Sequence, residues 1–222
     1  LPAYQPHQLR AVRDKIREAV TRGLQAVGYY QPEITLTRDP KVREKMLIKI
    51  NAGKPVRVRH VDILLRGDAG QDEAFSQLLD KLPLKEGEIF HHGRYESIKS
   101  SLGSLGLSRG YFDARLRKSE VKVYPDQQAA DILILFDAGR RYHYGDIRYE
   151  ASPEAVKLIR PLIRIHTGEP YLATDLAEMS QNVSATNLFR ETDIRPVMAE
   201  AKDGIVPVRV TLTPRDKHEV EA

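Results

Sequence analysis

Cysteine and tryptophan are both absent from the 222 residues. Without a thiol there is no cysteine nucleophile, no disulfide and no Cys-ligated metal site. The absence fits a reducing compartment as well as an oxidising one in which disulfides are not used. Aromatic residues make up only 7%, so the cores are expected to be small and aliphatic. No apolar run approaches the roughly 20 residues that a membrane-spanning helix needs. The opening, LPAYQPHQLR, is polar and punctuated by proline. A targeting segment is therefore expected either never to have been present or to have been removed, and the chain to be a fragment.

Charge is plentiful but mixed. The 35 basic and 31 acidic residues leave a formal charge of +4. They are interleaved as on a solvated surface and do not form the basic stripe of a nucleic-acid binder. With 41% hydrophobic residues, the composition is that of a globular chain able to bury a core and not a disordered one. The seven histidines lack the HExxH or H-x₃₋₅-H spacing of a zinc site, and His91 and His92 read as a polar helix start. No G-x-S-x-G, phosphate-binding loop or dinucleotide fingerprint occurs. No catalytic, cofactor-binding or metal-binding residue is expected, and neither is a small-molecule substrate. GSLG at 103 to 106 imitates the GxxG loop of KH domains. Leu102 and Leu105 carry an apolar stripe through it, so it reads as helix with small residues for close packing, and nucleic acid is not expected as a partner.

Three junctions recur: VGYYQPEITL (27 to 36), RGYFDARL (109 to 116) and NLFRETDI (187 to 194). The apolar pairs Ile16 and Val20, Ile98 and Leu102, and Met179 and Val183 precede them at i, i+4 spacing, each pair on one helical face. KEGEIF (85 to 90) and HTGEPY (166 to 171) repeat a Gly-Glu turn before an aromatic, and INAG (50 to 53) and FDAG (136 to 139) each end an apolar strand at glycine. One unit reads strand, helix, helix, strand, strand.

The middle unit is the fullest. A β-branched strand over 56–67 leads to a helix capped by Asp72 and stopped by Pro83. A second helix with Tyr95, Ile98, Leu102 and Leu105 on one stripe ends at Gly110. Period two then puts Ala114 and Leu116 inward and Arg115 and Arg117 outward. Val121 and Val123 fall out of phase with them, which predicts a bulge near Ser119. DILILFDAG (131 to 139) reads as a central strand. The third unit reads strand 142–150, helices 153–163 and 172–188, and strands 193–200 and 205–213. The first shows only a helix (6–27) and strands 33–38 and 45–51, so its opening strand and helix are expected to lie upstream or to be missing. The expected class is α+β, each unit a three-stranded sheet with two helices on one face. Short links of the AGKPV and AGRRY kind predict an elongated, semi-rigid array. The aromatics Tyr29, Tyr30, Tyr111, Phe112 and Phe189 are expected to plug the interface between sheet and helices.

This order of elements, the Gly-Tyr-Phe exit in RGYFD and the AG-x-x-Y/V turn resemble POTRA domains, the polypeptide-transport-associated repeats that precede the β-barrel of Omp85-type outer-membrane proteins. Three units, with VGYYQPEI in the first and RGYFDA in the second, resemble the TamA group of that family, ahead of BamA or two-partner secretion transporters. The implied division is 1–53 (the second half of a first POTRA domain), 54–139, 140–215 and a tail, 216–222, toward a barrel. The resemblance implies a periplasmic, non-catalytic docking region. It also implies a TamB-like, inner-membrane-anchored partner, autotransporters and other outer-membrane proteins as clients, and a barrel of the same chain. The docking edges are expected on the strand after each exit: Glu33, Ile34, Thr35, Leu36 and Thr37 in the first unit, and Asp113, Ala114, Arg115, Leu116, Arg117 and Lys118 in the second. The plainer reading of the second group is that its charges keep an edge strand from pairing with another copy.

Overall fold

The computed structural model describes residues 6–42 and 45–215. The expected tail, 216–222, lies outside the described residues, as does His218. Helix α1 (Pro6–Ala26) is followed by β1 (Glu33–Arg38), β2 (Met46–Asn51) and β3 (Arg57–Arg66). After a 3-10 turn come α2 (Glu73–Asp80), α3 (His92–Ser108), β4 (Arg115–Tyr124) and β5 (Ala129–Asp137). The remainder is β6 (His143–Glu150), α4 (Pro153–Ile159), α5 (Ala173–Ala185), β7 (Phe189–Pro196) and β8 (Ile205–Pro214). Three sheets result, with strand orders β1-β2, β3-β5-β4 and β6-β8-β7. By contacts the chain forms two compact units. One gathers residues up to Leu64 with Leu78–Ser101 and Arg117–Leu135; the other holds Leu65–Gln77, Leu102–Leu116 and the residues from Phe136 on.

The third sheet shows how one repeat is built. β8 is central, parallel to β6 and antiparallel to β7. Val206, Val208, Val210 and Leu212 lie on one face of β8. They share a buried cluster with Ile159 of α4, with Leu176, Met179 and Val183 of α5, and with Ile194 of β7. Alternate residues of a strand share a face and every third or fourth residue of a helix shares a stripe, so both helices pack on the same side of the sheet. Each such buried aliphatic chain contributes about 1.5–3 kcal/mol relative to exposure. In the middle sheet β5 holds the same central place, and Ala130, Ile132, Ile134 and Phe136 are buried at alternate positions.

The first sheet has only β1 and β2 among the described residues, paired Ile34 to Ile50 and Leu36 to Ile48. β2 stands where β5 and β8 stand, yet Ile48 and Ile50 are 45% and 46% exposed. The parallel neighbour that covers β8 in the third sheet has no counterpart beside β2 among the described residues.

GSLG is helix: α3 runs unbroken through it to Ser108. A methyl group on Gly106 would stand 3.3 Å from the Phe136 ring and 3.8 Å from the Ala114 and Tyr111 side chains, while Gly103 faces open space. Helix α3 therefore closes on β5 at Gly106, and no phosphate loop forms. Several ends move from their expected places. The helix predicted over 153–163 gives way to a 3-10 turn at Arg160, and the strand predicted from 193 starts at Phe189. Asn187 adopts φ +55° and turns the chain out of α5 earlier than a search for glycine suggests. Asparagine is the side chain best suited to that left-handed position.

Gly110 has φ +85°, and a β-carbon there would lie 2.8 Å from Tyr171 Cβ and 3.2 Å from the Tyr142 carbonyl oxygen. Gly110→Ala should destabilise the protein by about 2 kcal/mol or more, from the left-handed penalty and the overpacking together. Gly103→Ala should stabilise it by roughly 0.5–1 kcal/mol. Urea unfolding of the two variants beside the parent measures both, and an equal loss in both would refute the assignment of Gly110.

Candidate functional site

The recurring junction words form backbone joints. Gly28, two residues beyond α1, accepts a hydrogen bond on its carbonyl from the Val56 N–H at 2.8 Å, and Val56 accepts one from the Phe90 N–H at 2.9 Å. Gly110, two residues beyond α3, accepts from the Tyr142 N–H at 2.8 Å, and Tyr142 from the Tyr171 N–H at 3.0 Å. A β-carbon on Gly28 would fall 2.5 Å from the Phe90 carbonyl oxygen. In both joints a left-handed glycine lets one backbone approach another.

Side chains lock the second joint. The Arg141 guanidinium donates to the carbonyls of Arg109 (2.9 Å) and Tyr171 (3.2 Å), and the Tyr142 hydroxyl donates to Asp113 at 3.0 Å. Phe112 stands edge-on to the rings of Tyr142 and Tyr171, with centroids 5.1 and 4.9 Å away. This corrects the expectation for Phe112. It packs against the core of the third sheet, not between the helices and sheet that precede it. Tyr111, 2% exposed, points the other way onto Phe75. Phe189 lies against its own sheet's core.

Asp72 ties the start of α2 to this joint. It caps the helix by accepting from the Ala74 N–H, as its position suggests. It also accepts two hydrogen bonds from Arg109, at 2.8 and 3.0 Å, and one from the Tyr111 hydroxyl at 2.9 Å. Burial alone would raise its pKa. The hydrogen bonds from Arg109, Tyr111 and Ala74 outweigh burial and hold the carboxyl below its ordinary value. The Tyr111 hydroxyl is pushed far up by burial and by the bond to Asp72. The sequence marked Asp72 only as a cap; the signal for the rest was an arginine and a tyrosine flanking the capping glycine.

The joints also decide which sheet edges are covered. The outer side of β3 is taken at its start by residues 87–90, through Val58 N–H to Glu88 O (2.9 Å) and Gly87 N–H to Val58 O (2.7 Å). β6 is covered in the same way by residues 168–171, through Tyr144 N–H to Glu169 O (2.8 Å) and Gly168 N–H to Tyr144 O (2.7 Å). On the other side of each sheet, β1, β4 and β7 are outermost, with no further strand beyond them among the described residues.

Glu33, Ile34, Thr35, Leu36 and Thr37 all lie in β1. Of the second group, Arg115, Leu116, Arg117 and Lys118 lie in β4, whereas Asp113 and Ala114 belong to the turn before it. Asp113 is occupied by Tyr142, so the strand begins later than expected. The inward reading of Leu116 also fails, since it is 40% exposed. Residues 115–119 are exposed throughout, and cover begins only at Glu120 and Val121. Glu120 pairs with both Lys118 and Lys122 at 3.1 Å, so 118, 120 and 122 share a face and the pleat continues without the phase break expected near Ser119. The apparent change of phase reflects where cover begins. β7, with Phe189 to Pro196, is a third outer edge that the sequence reading did not offer as a binding site.

Replacing Asp72 with asparagine should cost roughly 1–3 kcal/mol at neutral pH by weakening the bonds to Arg109 and Tyr111. Because its folded pKa is depressed, the stabilisation is complete above the unfolded value of about 4 and is lost as pH falls through the lower folded value. The gap between parent and Asp72→Asn in urea unfolding should therefore close on acidification. A gap that stays constant would show that the charge of Asp72 contributes nothing.

Comparison with known proteins agrees with this geometry. The family model described as POTRA domain TamA domain 1 matches residues 1–52, and the POTRA model described as surface antigen variable number repeat matches residues 58–139. Together they take in more than half of the chain. Among solved structures, POTRA domains 3–5 of BamA from Haemophilus influenzae match with 18% identity and a TM-score of 0.52, covering 96% of this chain and 83% of that one. BamA from Haemophilus ducreyi lacking POTRA domains 1–3 matches with 17% identity and a TM-score of 0.52, over 72% of this chain and 30% of that one. At these identities the structural likeness speaks for the fold. Repeated α+β units joined at a left-handed residue and matched by two POTRA models in succession lead to one conclusion: the chain belongs to the POTRA family, and its opening residues are of the TamA type.

Proposed function

We propose that this chain is the periplasmic docking region of an outer-membrane assembly and translocation protein, made of POTRA domains over 1–53, 54–139 and 140–215. It receives a partner protein and extended client polypeptides and passes them to a barrel that continues the same chain. The observation that carries this reading is the asymmetry of the sheets. One outer side of β3 and of β6 is taken by the chain's own backbone, while β1, β4 and β7 are outermost on the other. An open rim of N–H and C=O groups accepts an incoming strand largely without regard to its sequence, which suits a protein that handles many clients.

The TamA type of the first stretch favours a TamB-like partner, anchored in the inner membrane and docking on the first unit, with autotransporters and other outer-membrane proteins as clients. The rims at Glu33 to Thr37 and at Arg115 to Lys118 are the proposed contacts. No helix among the described residues is long and apolar enough to cross a membrane.

Titration of the isotopically labelled chain with a C-terminal fragment of such a partner tests the reading. The amide signals of 33–38 or of 115–118 are expected to shift on addition. If the fragment binds and moves other signals while both rims stay unchanged, edge docking is wrong.

A further inference from the structure

We infer that the β4 rim selects acidic extended polypeptide. The inference rests on the rim-docking reading above and adds the chemistry of the guest.

Three strands hold the same outer place in their sheets, and their charges differ. β1 carries one acid and one base, Glu33 and Arg38. β7 carries Arg190 and Arg195 against Glu191 and Asp193. β4 carries Arg115, Arg117, Lys118 and Lys122 against Glu120 alone. Charged edges discourage two copies from pairing edge to edge, and the one-sign row of β4 does this by like-charge repulsion, whereas the mixed charges of β1 and β7 repel a second copy less. A row of one sign does something more. It opposes a basic strand laid beside it and favours an acidic one, because side chains on directly opposed residues of paired strands lie about 4.5–5.5 Å apart at Cβ.

Arg115, Lys118 and Lys122 of β4 are exposed. Residues 115–119 are exposed without interruption, so side chains on both faces of the strand stand beside whatever pairs with it. Glu120, the only acid of β4, sits between Lys118 and Lys122 at 3.1 Å from each, so Arg115, Lys118, Glu120 and Lys122 together sum to a positive charge. Leu116, 40% exposed, adds one apolar contact for an aliphatic residue of the guest. A peptide alternating glutamate with valine or threonine meets all of these features.

The probes are three peptides about six residues long, the usual length of a strand, alternating valine with glutamate, serine or lysine. Each is titrated into the labelled chain while the β4 amide signals are followed. The glutamate peptide should bind about tenfold more tightly than the serine peptide, the combined effect of a few exposed ion pairs. The advantage should vanish as ionic strength rises from about 0.01 M to about 1 M and the screening length shortens from about 30 Å to about 3 Å. The double variant Arg115→Glu, Lys118→Glu should reverse the order in favour of the lysine peptide. If all three peptides shift β4 alike at low salt, acid selection is overturned and edge docking survives. If none shifts β4 at any salt, edge docking at this strand fails and the selection with it. A charge-reversed variant that self-associates without changing peptide preference would mean that the row serves only to keep copies apart.

Discussion

The hydrogen bond from the Tyr142 N–H to the Gly110 carbonyl is the constraint on which most of this structure rests. It forms because the residue two places beyond α3 is left-handed, which turns its carbonyl away from the helix and toward the next strand. Only a residue without a side chain fits there, since Tyr171 and the Tyr142 carbonyl oxygen occupy the space where a β-carbon would stand. Once Tyr142 is held, its own carbonyl receives the Tyr171 N–H, and residues 168–171 are drawn along the start of β6. The same sequence of contacts runs from Gly28 through Val56 to Phe90. A joint and a covered edge are thus one arrangement in the second and third sheets, and β4 and β7 on the opposite rims have no further strand beside them among the described residues.

The third copy shows what the glycine is for. Asn187 adopts the same left-handed turn two residues beyond α5, with φ +55°, at the modest cost that asparagine carries in that region. Leu188 beside it is 47% exposed, whereas Tyr111 at the equivalent place is 2% exposed against Phe75. The turn itself needs only a left-handed residue. Glycine becomes necessary where a second backbone and an aromatic ring press on the Cα.

Much of the fold was legible because local pattern and tertiary role coincide. The i, i+4 pairs lie on α1, α3 and α5, the β-branched runs became β3 and β5, and the near-continuous apolar run of β5 took the centre of its sheet. What the sequence could not give were the directions of side chains at the junctions. Tyr111 and Phe112 are adjacent aromatics of similar size, yet one closes on Phe75 and the other on Tyr142 and Tyr171, which are distant in sequence. Strand periodicity also misled at β4. Alternation shows which face is buried only where something covers the strand, and Arg115 to Ser119 extend past the covered part. The rims were partly legible for the same reason: the strand after each exit could be named, but not the residue at which pairing begins.

If guests dock on the rims as proposed, the rims divide affinity from choice. A backbone hydrogen bond contributes a net ~0.5–1.5 kcal/mol, and a guest strand forms several of them whatever its sequence, so the backbone sets how tightly an extended chain is held. An exposed ion pair contributes only ~0.2–1 kcal/mol, too little to hold a guest but enough in a row to rank one against another. β1 and β7, with balanced charges, leave that ranking to the backbone. β4, with four bases and one acid, is the strand proposed to add a ranking by charge. Strands repeated in one architecture can therefore keep the same grip and differ in preference, because the residues that bias the choice point into solvent and are free to change without disturbing the joints that position them.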